Sequence, residues 1–216
     1  MLSNLDITGW LLTALYRVPG IIIGLSFHEW AHAYAAYKRG DPTARNLGRM
    51  TLNPMAHLDP IGIIALLLVG FGWARPVPVN TRNFTNPRKD EIIVSLAGVI
   101  TNILIAFIAT GLWLVCSVYV NNEIIITLIE YIVVINISLF IFNLIPVPPL
   151  DGFHVAECIL SKHIGGKFFY NIQRYGHYIL IAVLIINSRI GVLNYILQAI
   201  LSGFIRIYMP LIGLLT

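Results

Sequence analysis

Residues 19–37 form an apolar run interrupted by His28, Glu29 and His32, and no other stretch restricts so sharply what this chain can become. An apolar helix of this length can reach across lipid, where ionisable side chains are costly and by default mark function. At 3.6 residues per turn, His28 and His32 lie one above the other on one helix face, with Glu29 beside them. Two imidazoles able to share one ion, and a carboxylate able to act as base, are the parts of a metal-dependent hydrolase. In a charged, soluble helix the same three positions arise by chance. Charges are so scarce in apolar segments that chance is the weaker explanation here.

Composition sets the solvent. Of 216 residues, 57% are hydrophobic and only 11% charged, and the mean hydropathy is +0.80. An ordinary water-soluble domain would be about 25% charged, so the expectation is an integral membrane protein surrounded by a lipid bilayer. No polar stretch is long enough to fold separately, and residues 1–216 read as a single domain. A formal charge of +4 would suggest nucleic acid in a soluble protein. In a membrane protein, basic residues in short loops report orientation instead, so no nucleic-acid partner is expected. Cys116 and Cys158 lie in or beside apolar segments and suggest neither a disulfide framework nor a cysteine metal site. Any metal must therefore be held by His and carboxylate. The first ten residues have no basic region and no small-residue cleavage site, which argues against a removed signal peptide.

Read in order, the chain predicts an all-α polytopic fold with about five membrane-spanning helices, a re-entrant hairpin and a short membrane-associated β element. The spans fall at 11–37, 92–120, 124–145, 178–187 and 191–215. Pro19-Gly20 predicts a kink or break in the first, and the residues from Lys38 to Pro42 stop it. Residues 43–60 suggest strand and turn, and residues 73–80 look extended. An unwound substrate could pair with an edge at 75–80 or at 47–52. Residues 61–71 are apolar but too short for a hydrocarbon core of about 30 Å, so they predict a hairpin that leaves on the side it entered. Gly98 and Asn102 share a helix face, suited to close approach and an interhelical hydrogen bond. Pro146, Pro148 and Pro149 must break the fourth apolar stretch, which at membrane depth requires protein or a wet cavity alongside.

A catalytic zinc site takes three protein ligands and keeps one position open. Outside the first helix the candidates are His57, Asp59, Asp151, His154, Glu157, His163 and His177. For His57 and Asp59, turn-forming or hydrogen-bonding roles compete with ligation. If loops rich in Lys and Arg face the cytoplasm, the 11–37 and 124–145 helices both run inward, bringing His28, His32 and Asp151 to similar depth. Asn102, on a helix running the other way, reaches that depth too.

Taken together, His28-Glu29-Trp-Ala-His32, Ala97-Gly98-Val-Ile-Thr-Asn102 and Asn143-Leu-Ile-Pro-Val-Pro-Pro-Leu-Asp151-Gly152 resemble the site-2 protease family of intramembrane zinc metalloproteases, over residues 19–157. The resemblance implies one Zn2+ per chain held by His28, His32 and Asp151, Glu29 as catalytic base, and Asn143 holding the substrate or its oxyanion. Capping backbone freed by the prolines is the alternative for Asn143. It further implies a transmembrane protein as substrate, whose helix hides its carbonyls in internal hydrogen bonds and must unwind locally before attack, while the basic loops put the site near the cytoplasmic face of the plasma membrane. Val99 stands where the family has proline in Ala-Gly-Pro. No PDZ or CBS domain is inserted, as in small members of the family, so neither the substrate nor an oligomeric state can be read. An ion or metal transporter would explain the His and Asp residues but gives Glu29 no task. An inactive membrane scaffold would not need Glu29 either.

Overall fold

Backbone polar groups in lipid must be satisfied within the protein, and long apolar runs achieve this as helices. The computed structural model describes residues 7–69 and 72–213. Its helices are α1 (Ile7–Lys38), α2 (Thr43–Asn46), α3 (Pro60–Val69), α4 (Pro87–Tyr119), α5 (Glu123–Asn143), α6 (Asp151–Ile164), α7 (Gly166–Ile190) and α8 (Val192–Ile212), with 3-10 turns at Pro54–Ala56 and Thr81–Asn83. Among the described residues, four of these helices, α1, α4, α5 and α8, are long and apolar enough to cross a membrane. They mark an integral membrane protein. The expected span at 178–187 is the second half of α7, whose first half carries Lys167, Gln173, Arg174 and His177, and α7 does not qualify as a whole.

Helices α1, α4 and α5 pack pairwise, and α8 closes on α4 and α5. Ala106, Ala109, Val133, Ile137, Ile141 and Leu197 are buried at that junction. Pro19 lies inside α1 without ending it. The turn after it is supported by α5, so close that a Cβ at Gly20 would stand 2.9 Å from the Tyr131 carbonyl oxygen. Asn122 caps α5 by accepting from the amides of Ile124 and Ile125.

Helix α3 has ten residues, about 15 Å at ~1.5 Å per residue, half the depth of a bilayer core. Asp59 caps it, accepting from Ile61 N and Gly62 N at 2.9 Å each. The chain leaves at Leu58 and is back beside it by Ala74, the two forming an antiparallel bridge, with Arg75 N donating to the His57 carbonyl at 2.7 Å. Gly62 is where the returning chain crosses α3, and a Cβ there would run into the Trp73 carbonyl oxygen. The ends of segment 60–73 thus lie together, as a hairpin requires, while the tip at 70–71 lies outside the described residues.

The β element is reduced to that single bridge, and no strand forms among the described residues. Residues 47–52, expected as strand, run as turns. The reason is where the donors go. Pro76 and Pro78 have no N–H, and the amides of Arg75, Val77 and Asn80 are spent on His57, Glu29 and Asp41. Arg49 Nη2 in turn donates to the carbonyls of Arg75 and Pro76. No regular ladder is left to make.

Candidate metal centre

His28 and His32 emerge from the last third of α1 towards α4, and both are buried. Their approach depends on Gly98, where a Cβ would stand 2.5 Å from His32 Nε2 and 2.7 Å from His28 Cε1 and Nδ1. Asp151 arrives as the first residue of α6, immediately after the proline-broken turn that follows α5. Its Oδ2 lies 3.2 Å from His28 Nε2 and 3.3 Å from His32 Nε2, and the two Nε2 atoms are 3.0 Å apart.

The hydrogen-bond partners decide what those nitrogens carry. His32 Nδ1 meets the Val94 carbonyl at 2.8 Å, a group that can only accept, so Nδ1 holds the proton and Nε2 of the neutral ring is bare. His28 Nδ1 meets Asn102 Oδ1 at 2.8 Å. Asn102 is oriented in turn: its Nδ2 donates to the Gly24 carbonyl and to Asn136 Oδ1, each at 3.0 Å, and Asn136 Nδ2 donates to the Ile132 carbonyl at 2.8 Å. Oδ1 of Asn102 is therefore the atom that faces His28, and His28 Nε2 is bare as well. Asn102 and Asn136 are wholly buried, as such a relay requires.

Two bare imidazole nitrogens and a carboxylate oxygen consequently converge with no proton between them. Asp151 Oδ2 is buried without a hydrogen-bond donor. Such a cluster of lone pairs is repulsive unless a cation sits within it. The spacing suits one, because ligands about 2.0–2.1 Å from a tetrahedral ion stand about 3.3 Å from each other. Among the described residues, His28, His32 and Asp151 are the one such trio close enough to hold a metal.

Glu29 points elsewhere on α1. It is buried, and its Oε2 accepts from Val77 N at 2.8 Å. Asn143, half-buried at the end of α5, donates from Nδ2 to the Leu139 carbonyl of its own helix at 3.0 Å. The remaining candidates have other surroundings. His57 is fully buried and donates from Nε2 to the Thr51 carbonyl at 2.7 Å, and Asp59 caps α3. His154 pairs with Glu91 at 3.6 Å, which raises its pKa against the cost of burial, while His163 and His177 are exposed and Glu157 is half-buried.

The interhelical hydrogen bond expected of Asn102 forms, with His28 as the partner the sequence did not name, while the contacts of Asn136 and of Val77 N were missed altogether. An asparagine in the middle of an apolar helix was the available signal for Asn136. For Val77 it was Pro-Val-Pro, a stretch with a single amide hydrogen. Nothing in a sequence could indicate the Val94 carbonyl.

The family model for peptidase family M50 matches residues 117–187. A relative from Bacillus subtilis, named "Putative zinc metalloprotease YwhC", is 38% identical over 208 residues, covering 91% of this chain and 94% of its own length. Two relatives named "Putative zinc metalloprotease Rip2" are more distant. The Mycolicibacterium smegmatis protein is 28% identical over 150 residues and the Mycobacterium tuberculosis H37Rv protein 28% over 149, each matching 65% of this chain and 55% of the relative. No solved structure matches the chain.

Proposed function

Because this chain belongs to peptidase family M50, we propose that it is an intramembrane zinc metalloprotease that hydrolyses peptide bonds within or near transmembrane segments of membrane proteins. The observation that carries the reading is the convergence of bare His28 Nε2, bare His32 Nε2 and the donor-free Asp151 Oδ2, next to a buried carboxylate, Glu29, that belongs to none of them. In this reading His28, His32 and Asp151 hold Zn2+, the ion implied by the family and by the names of the relatives. A bound Zn2+ supplies Lewis acidity to water and to the scissile carbonyl.

The protein's own groups do the rest. Val77 N–H fixes Glu29 Oε2, leaving the other carboxylate oxygen to take a proton from water and later return it to the leaving amine. The Nδ1 contacts to Asn102 and Val94 keep both imidazoles in the ligating tautomer and raise their basicity. Asn143 spends one Nδ2 hydrogen on the Leu139 carbonyl and has a second with which to donate to the developing oxyanion. A transmembrane helix hides its carbonyls in internal hydrogen bonds, so the substrate must unwind before attack.

Orientation follows from charge. The loops on the metal side carry Lys38, Arg39, Arg45, Arg49, Arg75, Arg82, Arg88 and Lys89, and the turn between α4 and α5 carries no basic residue. This supports a site near the cytoplasmic face of the plasma membrane, with α3 entering and leaving on that side. The test is reconstitution with membrane-protein substrates. Glu29→Gln should keep one zinc per chain and lose cleavage; a variant that cleaves at the wild-type rate would refute the assignment.

A further inference from the structure

Beyond the end of α1 the chain turns through Gly40-Asp41-Pro42, and Asp41 there is completely buried. It makes no salt bridge among the described residues; hydrogen bonds satisfy it instead. Oδ1 accepts from Thr43 N at 3.1 Å, from the Thr43 hydroxyl, and from Asn83 Nδ2 at 2.7 Å, while Oδ2 accepts from Asn80 N at 2.7 Å. A buried carboxylate is costly unless so satisfied, and once satisfied it holds its donors in one geometry.

Those donors close one end of the extended segment at residues 75–80. The other end is tied by the Arg75 amide on the His57 carbonyl and by the Leu58–Ala74 bridge. Between the two anchors Val77 shares a buried cluster with Ala33 of α1, and Val79 packs against one that contains Ala36 of α1. Pro76-Val-Pro78 carries a single N–H, and it lands on Glu29 Oε2. Glu29 and Asp41 are thus bridged twice, once through α1 and once through this segment.

We propose that Asp41 is a positioning residue for the hydrolysis: by gripping Asn80 and Asn83 it seats residues 75–80 against α1 and so keeps the Val77 N–H on Glu29. The proposal rests on the reading of Glu29 as the base. A base must stay within hydrogen-bond reach of the proton it removes, and a misplacement of about 1 Å costs on the order of a hundredfold in rate. Among the described residues Glu29 accepts one hydrogen bond, from Val77 N, so its seating depends on this segment.

The test uses zinc-loaded, full-length protein carrying Asp41→Asn, Asn83→Ala or Val77→Pro, with Glu29→Gln as the inactive control. Asn83 is exposed, so its variant should fold even if Asp41→Asn does not. Hydrogen exchange of the amides in residues 75–80 should be at least about tenfold faster in Asp41→Asn and Asn83→Ala, with exchange in α1 unchanged. On a leucine-alanine transmembrane peptide with a central Asn-Pro pair, kcat should fall about tenfold in Asp41→Asn while KM stays within about twofold and zinc stays stoichiometric. Adding Val77→Pro should bring little further loss, because both changes act through one contact. Unaltered exchange in both variants overturns the proposal whether or not the peptide is cleaved. Faster exchange with undiminished kcat, or losses that simply multiply, overturns the link to Glu29. Cleavage by Glu29→Gln at the wild-type rate would instead sink the protease reading and leave the exchange result standing.

Discussion

Replacing Gly98 by alanine tests whether α4 shapes the metal centre or merely fills space. The added Cβ would stand 2.5 Å from His32 Nε2 and 2.7 Å from two atoms of the His28 ring. Ordinary carbon–nitrogen contact needs about 3.5 Å, so roughly 1 Å must be found. The His32 ring cannot simply swing aside, because its Nδ1 is held on the Val94 carbonyl at 2.8 Å and the clash falls on the atom that would ligate. Either α4 backs away, carrying Asn102 off His28, or an imidazole leaves its ligating position. Overpacking of this kind costs about 1–3 kcal/mol, which corresponds to roughly 5-fold to 150-fold weaker zinc binding, since 1.4 kcal/mol is a factor of ten. The assay is chelator competition on purified protein, with Gly203→Ala on α8 as control, because a Cβ there meets no neighbour within 4 Å. Wild-type zinc affinity in Gly98→Ala, or an equal loss in Gly203→Ala, would refute the reasoning.

Asn102→Ala should weaken zinc about 10-fold to 100-fold in the same competition, the usual cost of losing a partner that orients a ligating histidine. Asp151→Ala should hold well under one zinc per chain by metal analysis, while folded Asp59→Ala and His57→Ala retain it, since those side chains serve α3 and the Thr51 carbonyl. Burial works against ionisation of Asp41, but its donors from Thr43, Asn80 and Asn83 outweigh burial and lower its pKa. A carboxyl with a lowered folded-state pKa contributes stability that is full above its unfolded value, about 3.9, and is lost as pH falls through the folded value. Thermal unfolding of wild type should therefore converge on that of Asp41→Asn as pH drops below about 4; a gap that stays constant to lower pH would contradict this.

How much of the site could be read in advance depended on how each part is encoded. His28, Glu29 and His32 were legible because one helix and its 3.6-residue period bring them together. Asp151 became legible through membrane depth, since apolar spans between charged loops act as rulers for where each residue sits. Among the described residues the expected β element comes down to one bridge for a reason visible only in three dimensions: beyond the Arg75 amide that makes it, Pro76 and Pro78 have no N–H and the amides of Val77 and Asn80 are drawn to the side chains of Glu29 and Asp41. The fifth expected span, 178–187, is not among the four helices that qualify, because it continues a helix whose first half carries Lys167, Gln173, Arg174 and His177, so a window of ten apolar residues said little about the whole.

The deepest of these lessons concerns a helix that donates no ligand. Val94, Gly98 and Asn102 form a row at four-residue spacing on α4, set antiparallel against the row His32, His28 and Gly24 on α1. At one end the Val94 carbonyl holds His32; at the centre Gly98 admits both rings; at the other end Asn102 holds His28 and the Gly24 carbonyl. One register of two helices thereby fixes both tautomers and the spacing between the two nitrogens, and a slip of a single residue would turn Gly98 away and put a larger side chain, Ala97 or Val99, into the imidazoles. Each row is visible in the sequence by itself, as a metal-binding motif and as a small-residue packing face. What one sequence cannot give is the offset between them, because it depends on backbone groups that every residue carries alike. The spacing of the two imidazoles is thus specified by the packing of α1 on α4, and α6 brings the Asp151 carboxylate within 3.3 Å of both.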